Sequence, residues 1–194
     1  MFRSSATYTR SVPVPSRADR PAPESQLQPT LRTVIPGVYS AYVYKNVSIL
    51  VWFGPMLMED VATFEQGCQA MCEIHPEGVS SVNIIVPGGR SMPTAEVRSE
   101  LTKVLARYSP HTAGAAVVIR GDGFWASALR GMIIALSLLL PRRRHFQIFG
   151  SLDAAAEWLP ALHAEKTGVT IGSDELLTVL QQVERTSSIG RLAA

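Results

Sequence analysis

The segment that decides the fold spans residues 39–53 and reads YSAYVYKNVSILVWF. It is rich in β-branched and aromatic residues on both sides of Lys45-Asn46. Because asparagine tolerates a positive φ, the segment predicts two strands joined by a tight antiparallel turn. Gly54-Pro55 then ends the second strand. From there to His163 the chain alternates between helical and extended patterns, with only short connecting segments between them.

This alternation predicts three helix–strand units and a closing helix. Short apolar runs at 82–86, 115–119 and 144–149 predict the remaining strands, and Thr94 and Ser151 are the predicted N-caps of two helices. The runs are continuously apolar rather than alternating, which indicates a sheet covered on both faces. The predicted fold is α/β, with a ββαβαβαβα mixed sheet and covering helices.

The segments that flank this pattern differ from it in composition. Residues 1–33 are rich in proline, serine and arginine and lack periodicity, so they predict a disordered basic tail. The domain is expected to span residues 34–166. Residues 167–194 are interpreted as a linker and a C-terminal amphipathic helix that begins at Ser173.

The charge distribution argues against a nucleic-acid partner. The net charge is +2, but residues 1–32 hold five arginines against Asp19 and Glu24, so that segment carries +3 and the remainder −1. The apolar run Gly131–Leu140 is only ten residues long, whereas a membrane span needs about 20. We therefore expect a buried helix there, no transmembrane segment, and, without an apolar leader, a cytoplasmic protein.

No chemical signature predicts an enzyme. Cys68 and Cys72 lie four residues apart on one predicted helix, and no second pair completes a metal site, so we interpret them as packing residues and expect no metal or cofactor. No serine, histidine and carboxylate set can be assembled from the sequence, so no catalytic residue is assigned. Arg142, Arg143 and Arg144 follow a helix end and are interpreted either as a solvated loop or as an anion-binding site.

The third predicted helix has more apolar surface than a sheet can cover. Beside its main stripe it carries a second stripe with Gly131, Ile134 and Leu138. Such a stripe predicts a covering neighbour, a ligand cavity or a subunit interface. We expect the C-terminal helix to cover it, within the chain or from a second copy. The interface candidates on that helix are Leu176, Leu177, Leu180 and Val183.

The order of elements, the strand ends marked by glycine and proline, and the run FGSLDAAAEWL at 149–159 resemble the STAS domain of anti-sigma-factor antagonists. The chain is more closely similar to STAS-like proteins that are related to a family of lipid-binding proteins. The resemblance implies a non-enzymatic signalling or scaffold domain, which is switched by phosphorylation in the loop between the third strand and the second helix.

The matching loop here contains Gly88, Gly89, Ser91 and Thr94, and its end lies at a helix N-terminus, where backbone N–H groups favour a phosphate. It has no acidic residue before the hydroxyls, unlike the family pattern. Without the resemblance, Gly88-Gly89 indicates a tight turn, since a P-loop also needs a lysine.

These observations lead to one functional hypothesis and two alternatives. The first is a STAS-like regulatory or scaffold protein that binds another protein, with Ser91 or Thr94 as the phosphorylation site. The second is a carrier that holds a lipid or other apolar ligand against the third helix. The third is an enzyme that uses the Gly88–Thr94 or Gly121–Gly123 loop. A pocket lined by Ile134 and Leu138 would favour the carrier, and a flat apolar patch would favour a protein partner.

Overall fold

The structure, a computed structural model, describes residues 28–86, 92–121, 123–138 and 145–192, with side chains up to residue 187. In this part of the chain the strands are β1 Thr30–Ile35, β2 Tyr39–Tyr44, β3 Val47–Trp52, β4 Val79–Ile85, β5 Thr112–Ile119 and β6 Phe146–Phe149. The helices are α1 Met58–Ile74, α2 Ala95–Tyr108, α3 Phe124–Ser137, α4 Leu152–Thr167 and α5 Ser173–Leu192. The predicted α/β class with a mixed sheet is confirmed.

The strands lie in the sheet in the order in which they occur along the chain, β1 to β6. The first three pair antiparallel, and β3 to β6 pair parallel. Because this order never reverses, right-handed crossovers place α1, α2 and α3 on the same face of the sheet. The helices α4 and α5 then cover the opposite face, which would otherwise expose its apolar side chains.

Successive strand residues are buried on opposite faces, as the continuous apolar runs predict. Ile49 and Val51 pack with α4 and α5, whereas Leu50 between them packs with α1 and α2. In the same way Val118 faces α4, while Val117 contacts the cluster under α3. Both faces of the central sheet are therefore core.

The N-terminal strand β1 was not predicted. The tail expected over residues 1–33 is wrong for residues 30–33, which belong to this strand and pair antiparallel with β2. β1 is an edge strand, and its Leu31 and Val34 are about half exposed. Its pairing comes from the backbone of β2, so its own side chains carry only a weak apolar pattern.

The turn between β2 and β3 differs in one detail from the prediction. The residue with a positive φ is Lys45, at 51°, rather than Asn46. The Asn46 side chain is instead buried and donates from Nδ2 to the Gly78 carbonyl at 2.9 Å. Asn46 therefore makes a tertiary contact, and Lys45 adopts the left-handed backbone conformation that the turn requires.

The predicted helix caps are confirmed. The Thr94 hydroxyl accepts from the Val97 N–H at 3.3 Å, and the Ser151 hydroxyl accepts from the Ala154 N–H at 3.3 Å. Pro160 lies inside α4, and the helix continues past it to Thr167.

The C-terminal helix α5 packs on α4, β2 and β3, on the face of the sheet opposite to α3. The expectation that it covers the second stripe of α3 is therefore wrong. Leu176, Leu180 and Val183 are buried in the core of their own chain, and Leu177 packs against that core. The physical reason is that Tyr42 and the other apolar residues of β2 and β3 on this face need a cover.

Polar contacts hold α5 in place. The Tyr44 hydroxyl donates to the Glu175 carboxylate at 2.5 Å, and Lys45 Nζ lies 2.7 Å from the same carboxylate. Near the other end, the Ser187 hydroxyl donates to the Tyr42 hydroxyl oxygen at 3.0 Å. These contacts are specific to β2 and the turn that follows it, so they set the position of α5 along the sheet.

Candidate ligand-binding cleft

The two faces of the sheet are packed differently. On one face α4 lies close to β5, because Gly114 of the strand has no side chain. Leu159 and Leu162 of α4 occupy the space that a Cβ atom there would need. Ala155 and Ala156 of α4 are also small and fully buried. On the other face α2 and α3 are separated by a cleft, and a second cavity lies under α1.

The cleft between α2 and α3 has a volume of about 280 Å³ and is predominantly apolar. Its floor is formed by β3 to β6, including Ala115 and Val117. One wall is the main stripe of α3, which consists of Trp125, Leu129, Met132, Ile133 and Leu136. The opposite wall is α2, through Leu101 and Leu105. The sequence predicted this stripe, together with Leu140, which lies outside the described residues, as the face that packs on the sheet. The stripe does pack on β5, but the sequence did not predict the cleft that it also lines.

Part of the polar lining of the cleft is already paired. The Trp52 indole N–H donates to Asn83 Oδ1 at 3.1 Å, and Asn83 Nδ2 donates to the Ser81 hydroxyl at 3.4 Å. These contacts hold Trp52 and Asn83 against the floor of the cleft. They leave little hydrogen-bonding capacity for a ligand at the centre.

Three buried polar atoms of the lining have no hydrogen-bond partner among the described residues. They are the Ser109 hydroxyl oxygen, the Trp125 indole nitrogen and His145 Nδ1. Buried polar groups in native proteins are usually paired, and an unpaired one costs about 1–3 kcal/mol. All three line the same cleft, so a single occupant of that space could pair them.

Arg98 supplies the charge of the cleft. Of the described residues, it is the only lysine, arginine, aspartate or glutamate that lines this space. One of its guanidinium nitrogens donates to the Pro93 carbonyl at 2.7 Å, which orients the group at the first turn of α2. An arginine has five N–H donors, so the others remain for a ligand.

The second cavity lies between α1 and strands β1 to β4 and has a volume of about 440 Å³. It shares Phe64 and Leu105 with the cleft. Cys68 and Cys72 line it as free thiols. Burial raises the pKa of Cys68 to about 12 and also raises the pKa of Cys72. Both thiols therefore stay protonated at neutral pH, which fits the predicted packing role rather than a nucleophilic one.

The fold creates a serine–histidine arrangement that sequence reasoning missed. His163 Nδ1 lies 2.8 Å from the Ser80 hydroxyl, and His163 Nε2 lies 2.8 Å from Asn46 Oδ1. The three residues come from α4, β4 and the turn before β3, and no sequence signal joins them. Each is at least 99% buried on the α4 face, so no substrate reaches the hydroxyl. The three side chains therefore form a buried hydrogen-bonded link between α4, β4 and the turn before β3.

The predicted regulatory loop falls largely on residues that the structure does not describe. Gly88, Gly89 and Ser91 lie outside the described residues, and so do the anion-binding candidates Arg142, Arg143 and Arg144. Thr94 is described; its side chain is exposed, and its hydroxyl caps α2.

The second stripe of α3 faces away from the cleft. Ile134 is 48% exposed and Leu138 is 52% exposed, and neither lines the cleft. A methyl group added at Gly131 would meet no atom within 4 Å. The structure therefore separates the two stripes, with a cleft on the inner side of α3 and an open apolar surface on its outer side. The expectation of a buried helix over Gly131–Leu140 is wrong for this outer side. Because Ile134 and Leu138 line no pocket, the second stripe favours a protein partner, and support for a carrier comes only from the cleft under the main stripe.

In the described ranges, no three histidine, cysteine, aspartate or glutamate side chains are grouped so that they could hold a metal ion. Nor does any helix within those ranges combine the length and hydropathy of a membrane span.

No protein-family model matches the chain, and none of the curated proteins matches it either. The cleft and the outer face of α3 are therefore the features that bear on the function of the protein.

Proposed function

We propose that the protein is a non-enzymatic carrier or sensor that binds an apolar small molecule in the cleft between α2 and α3. The cleft itself is the observation that supports this proposal, since protein interiors are close-packed and contain few voids larger than a water molecule. Its volume of about 280 Å³ lies just below the range of small-molecule pockets, roughly 300–1,000 Å³, and the second cavity is larger, at about 440 Å³. The cleft is preferred because the buried unpaired polar atoms of the described residues line it and not the second cavity. Its apolar walls and few polar groups are typical of such pockets.

The experiment is a titration of the purified protein with decanol, followed by tryptophan fluorescence. Trp52 and Trp125 line the cleft, whereas Trp158 packs beside Phe149 on the opposite face. A ligand in the cleft should therefore change the emission and raise the melting temperature. The variant Ala115→Leu, which puts a larger side chain on the floor of the cleft, should bind decanol at least about tenfold more weakly.

The matched control is Ile134→Ser, which changes an apolar residue on the outer side of α3. It should bind decanol as the unmodified protein does. If neither decanol nor its carboxylate analogue decanoate changes the fluorescence or the melting temperature, or if Ala115→Leu binds decanol as tightly as the unmodified protein does, the cleft is not a ligand site.

A second candidate function is the regulatory or scaffold role that the STAS resemblance implies. It is favoured by the exposed apolar side chains of α3, which are Phe124 at its first position, 92% exposed, and the half-exposed Ile134 and Leu138 near its end. A protein partner on this surface would lose affinity in the double variant Ile134→Ser and Leu138→Ser but not in Ala115→Leu. A phosphate on Thr94 would lie at the N-terminus of α2, where it suits the helix dipole.

A further inference from the structure

We infer that the ligand of the cleft is an elongated carboxylate that carries a second oxygen function at its far end. The inference rests on the proposed function and specifies its ligand. Most polar side chains of the described lining are already paired, but four groups have unused hydrogen-bonding capacity. Arg98 and Trp125 lie at one end of the cleft, and Ser109 and His145 lie at the other.

The first end is built to receive a negative charge. Arg98 lies in the first turn of α2, and Trp125 lies in the first turn of α3. These helices follow the neighbouring parallel strands β4 and β5, so both residues lie at the carboxyl-terminal edge of the sheet. The indole N–H of Trp125 can only donate, so it needs an acceptor.

Electrostatics at this end selects an anion among the acceptors. The described lining contains no carboxylate to neutralise Arg98. The N-termini of α2 and α3 add partial positive charge at the same edge. Hydrogen bonds between a guanidinium and a carboxylate are about twice as strong as neutral ones, so a carboxylate is the group that this end should bind best.

The far end lies at the opposite edge of the sheet. Ser109 follows the last residue of α2, and His145 directly precedes β6. Ser109 is only 7% exposed, and neither its hydroxyl oxygen nor His145 Nδ1 has a partner among the described residues. A ligand hydroxyl, which donates and accepts, would pair both atoms. At 1.5 Å per residue, Arg98 and Ser109 are about 16 Å apart along the helix axis, so the ligand must be elongated.

The test compares three ten-carbon probes by isothermal titration calorimetry at about pH 8, where a carboxylate is ionised. The probes are decanol, decanoate and 10-hydroxydecanoate. We expect decanoate to bind about tenfold or more tightly than decanol, and 10-hydroxydecanoate to bind more tightly still. Arg98→Gln should abolish the preference for decanoate over decanol without weakening decanol, while Arg98→Lys should retain most of it.

The matched control is Lys103→Gln, which removes the same charge from an exposed position on α2 and should leave all three affinities unchanged. Ser109→Ala should remove the advantage of 10-hydroxydecanoate over decanoate. Melting curves of each variant establish that it is folded.

The outcomes separate the two proposals. If none of the three probes binds, the proposed function fails. If decanol binds as tightly as decanoate, or if Arg98→Gln leaves the preference intact, the cleft binds apolar ligands but the carboxylate assignment is overturned. If 10-hydroxydecanoate and decanoate bind equally to the unmodified protein, the assignment of the far end is overturned.

Discussion

At the scale of single residues, His163 is a buried titratable side chain that joins Asn46 and Ser80. The Asn46 amide is oriented by its bond to the Gly78 carbonyl, so Oδ1 faces His163 and accepts from Nε2. His163 Nδ1 is then free to accept from the Ser80 hydroxyl. The neutral imidazole satisfies all of these partners. Protonation would require Ser80 to turn and would place a cation in a buried site.

We expect stability to fall as the pH is lowered through the range of histidine titration. Burial is the main cause that lowers the pKa of His163, and Lys45 lowers it further, whereas Glu77 opposes the shift. In the unfolded chain the group titrates near 6.5, so above that pH it is neutral in both states. Below 6.5 only the unfolded state takes up the proton, so the free energy of unfolding falls by at most about 1.4 kcal/mol per pH unit.

Urea unfolding at a series of pH values measures this loss. The comparison variant is His163→Gln. At neutral pH its free energy of unfolding should be lower by about 1–3 kcal/mol for each buried group left unpaired. Its stability should not show this pH dependence. Equal slopes for the two proteins between pH 6.5 and the lower pKa of His163 would show that another group causes the loss.

At the scale of elements, the close approach of α4 to β5 depends on Gly114. A Cβ atom there would lie 2.8 Å from Leu159 Cδ1 and 3.0 Å from Leu162 Cδ2. We expect Gly114→Ala to destabilise the protein by about 1–3 kcal/mol, because the ends of these side chains must move.

The matched change is Gly131→Ala on α3, where an added Cβ meets nothing within 4 Å. Here alanine should stabilise the protein by up to about 1 kcal/mol through helix propensity alone. Denaturant unfolding of the two variants gives opposite signs if α4 is close-packed and the outer face of α3 is open. A loss of stability in Gly131→Ala would mean that this face is covered.

The helix α5 is expected to be essential for folding rather than a free tether. Leu180 is fully buried, so Leu180→Ala should lower the free energy of unfolding by about 2–5 kcal/mol. The control Gln181→Ala, at the adjacent exposed position, should change it by less than about 0.5 kcal/mol. Deleting residues 168–194 should cause unfolding or aggregation, since domain stability is only about 5–15 kcal/mol. A deleted protein that stays soluble with an unchanged melting temperature would contradict this interpretation.

At the scale of the whole molecule, the sheet is close-packed under α4 but has a cleft between α2 and α3 on its other face. This difference predicts that filling the cleft raises stability and weakens ligand binding. Leucine at position 115 would occupy part of the cleft and make new contacts with its apolar lining. We expect Ala115→Leu to raise the stability of the ligand-free protein by about 0.5–2 kcal/mol while it weakens decanol binding. Thermal unfolding with and without decanol measures both effects. If the variant is less stable and still binds decanol, the surroundings of residue 115 are close-packed and the cleft lies elsewhere.

The sequence by itself determined the type, order and approximate ends of most elements. Periodicity, caps such as Thr94 and Ser151, and breakers such as Gly54-Pro55 act over a few residues, so they can be interpreted without the fold. The continuous apolar strands also predicted burial on both faces. The edge strand β1 was not predicted because its extended conformation depends on backbone pairing with β2 and not on a pattern of its own side chains.

Only the tertiary structure decided what covers each apolar face. Periodicity shows that a helix has an apolar stripe, but the side of the sheet on which α5 packs depends on β2 and β3, more than a hundred residues away. The main stripe of α3 packs on β5 through Leu129 and also lines a cleft, because α2 and α3 are held apart. The orphaned polar atoms of Ser109, Trp125 and His145 converge on that cleft only in the folded chain, since they belong to three separate elements.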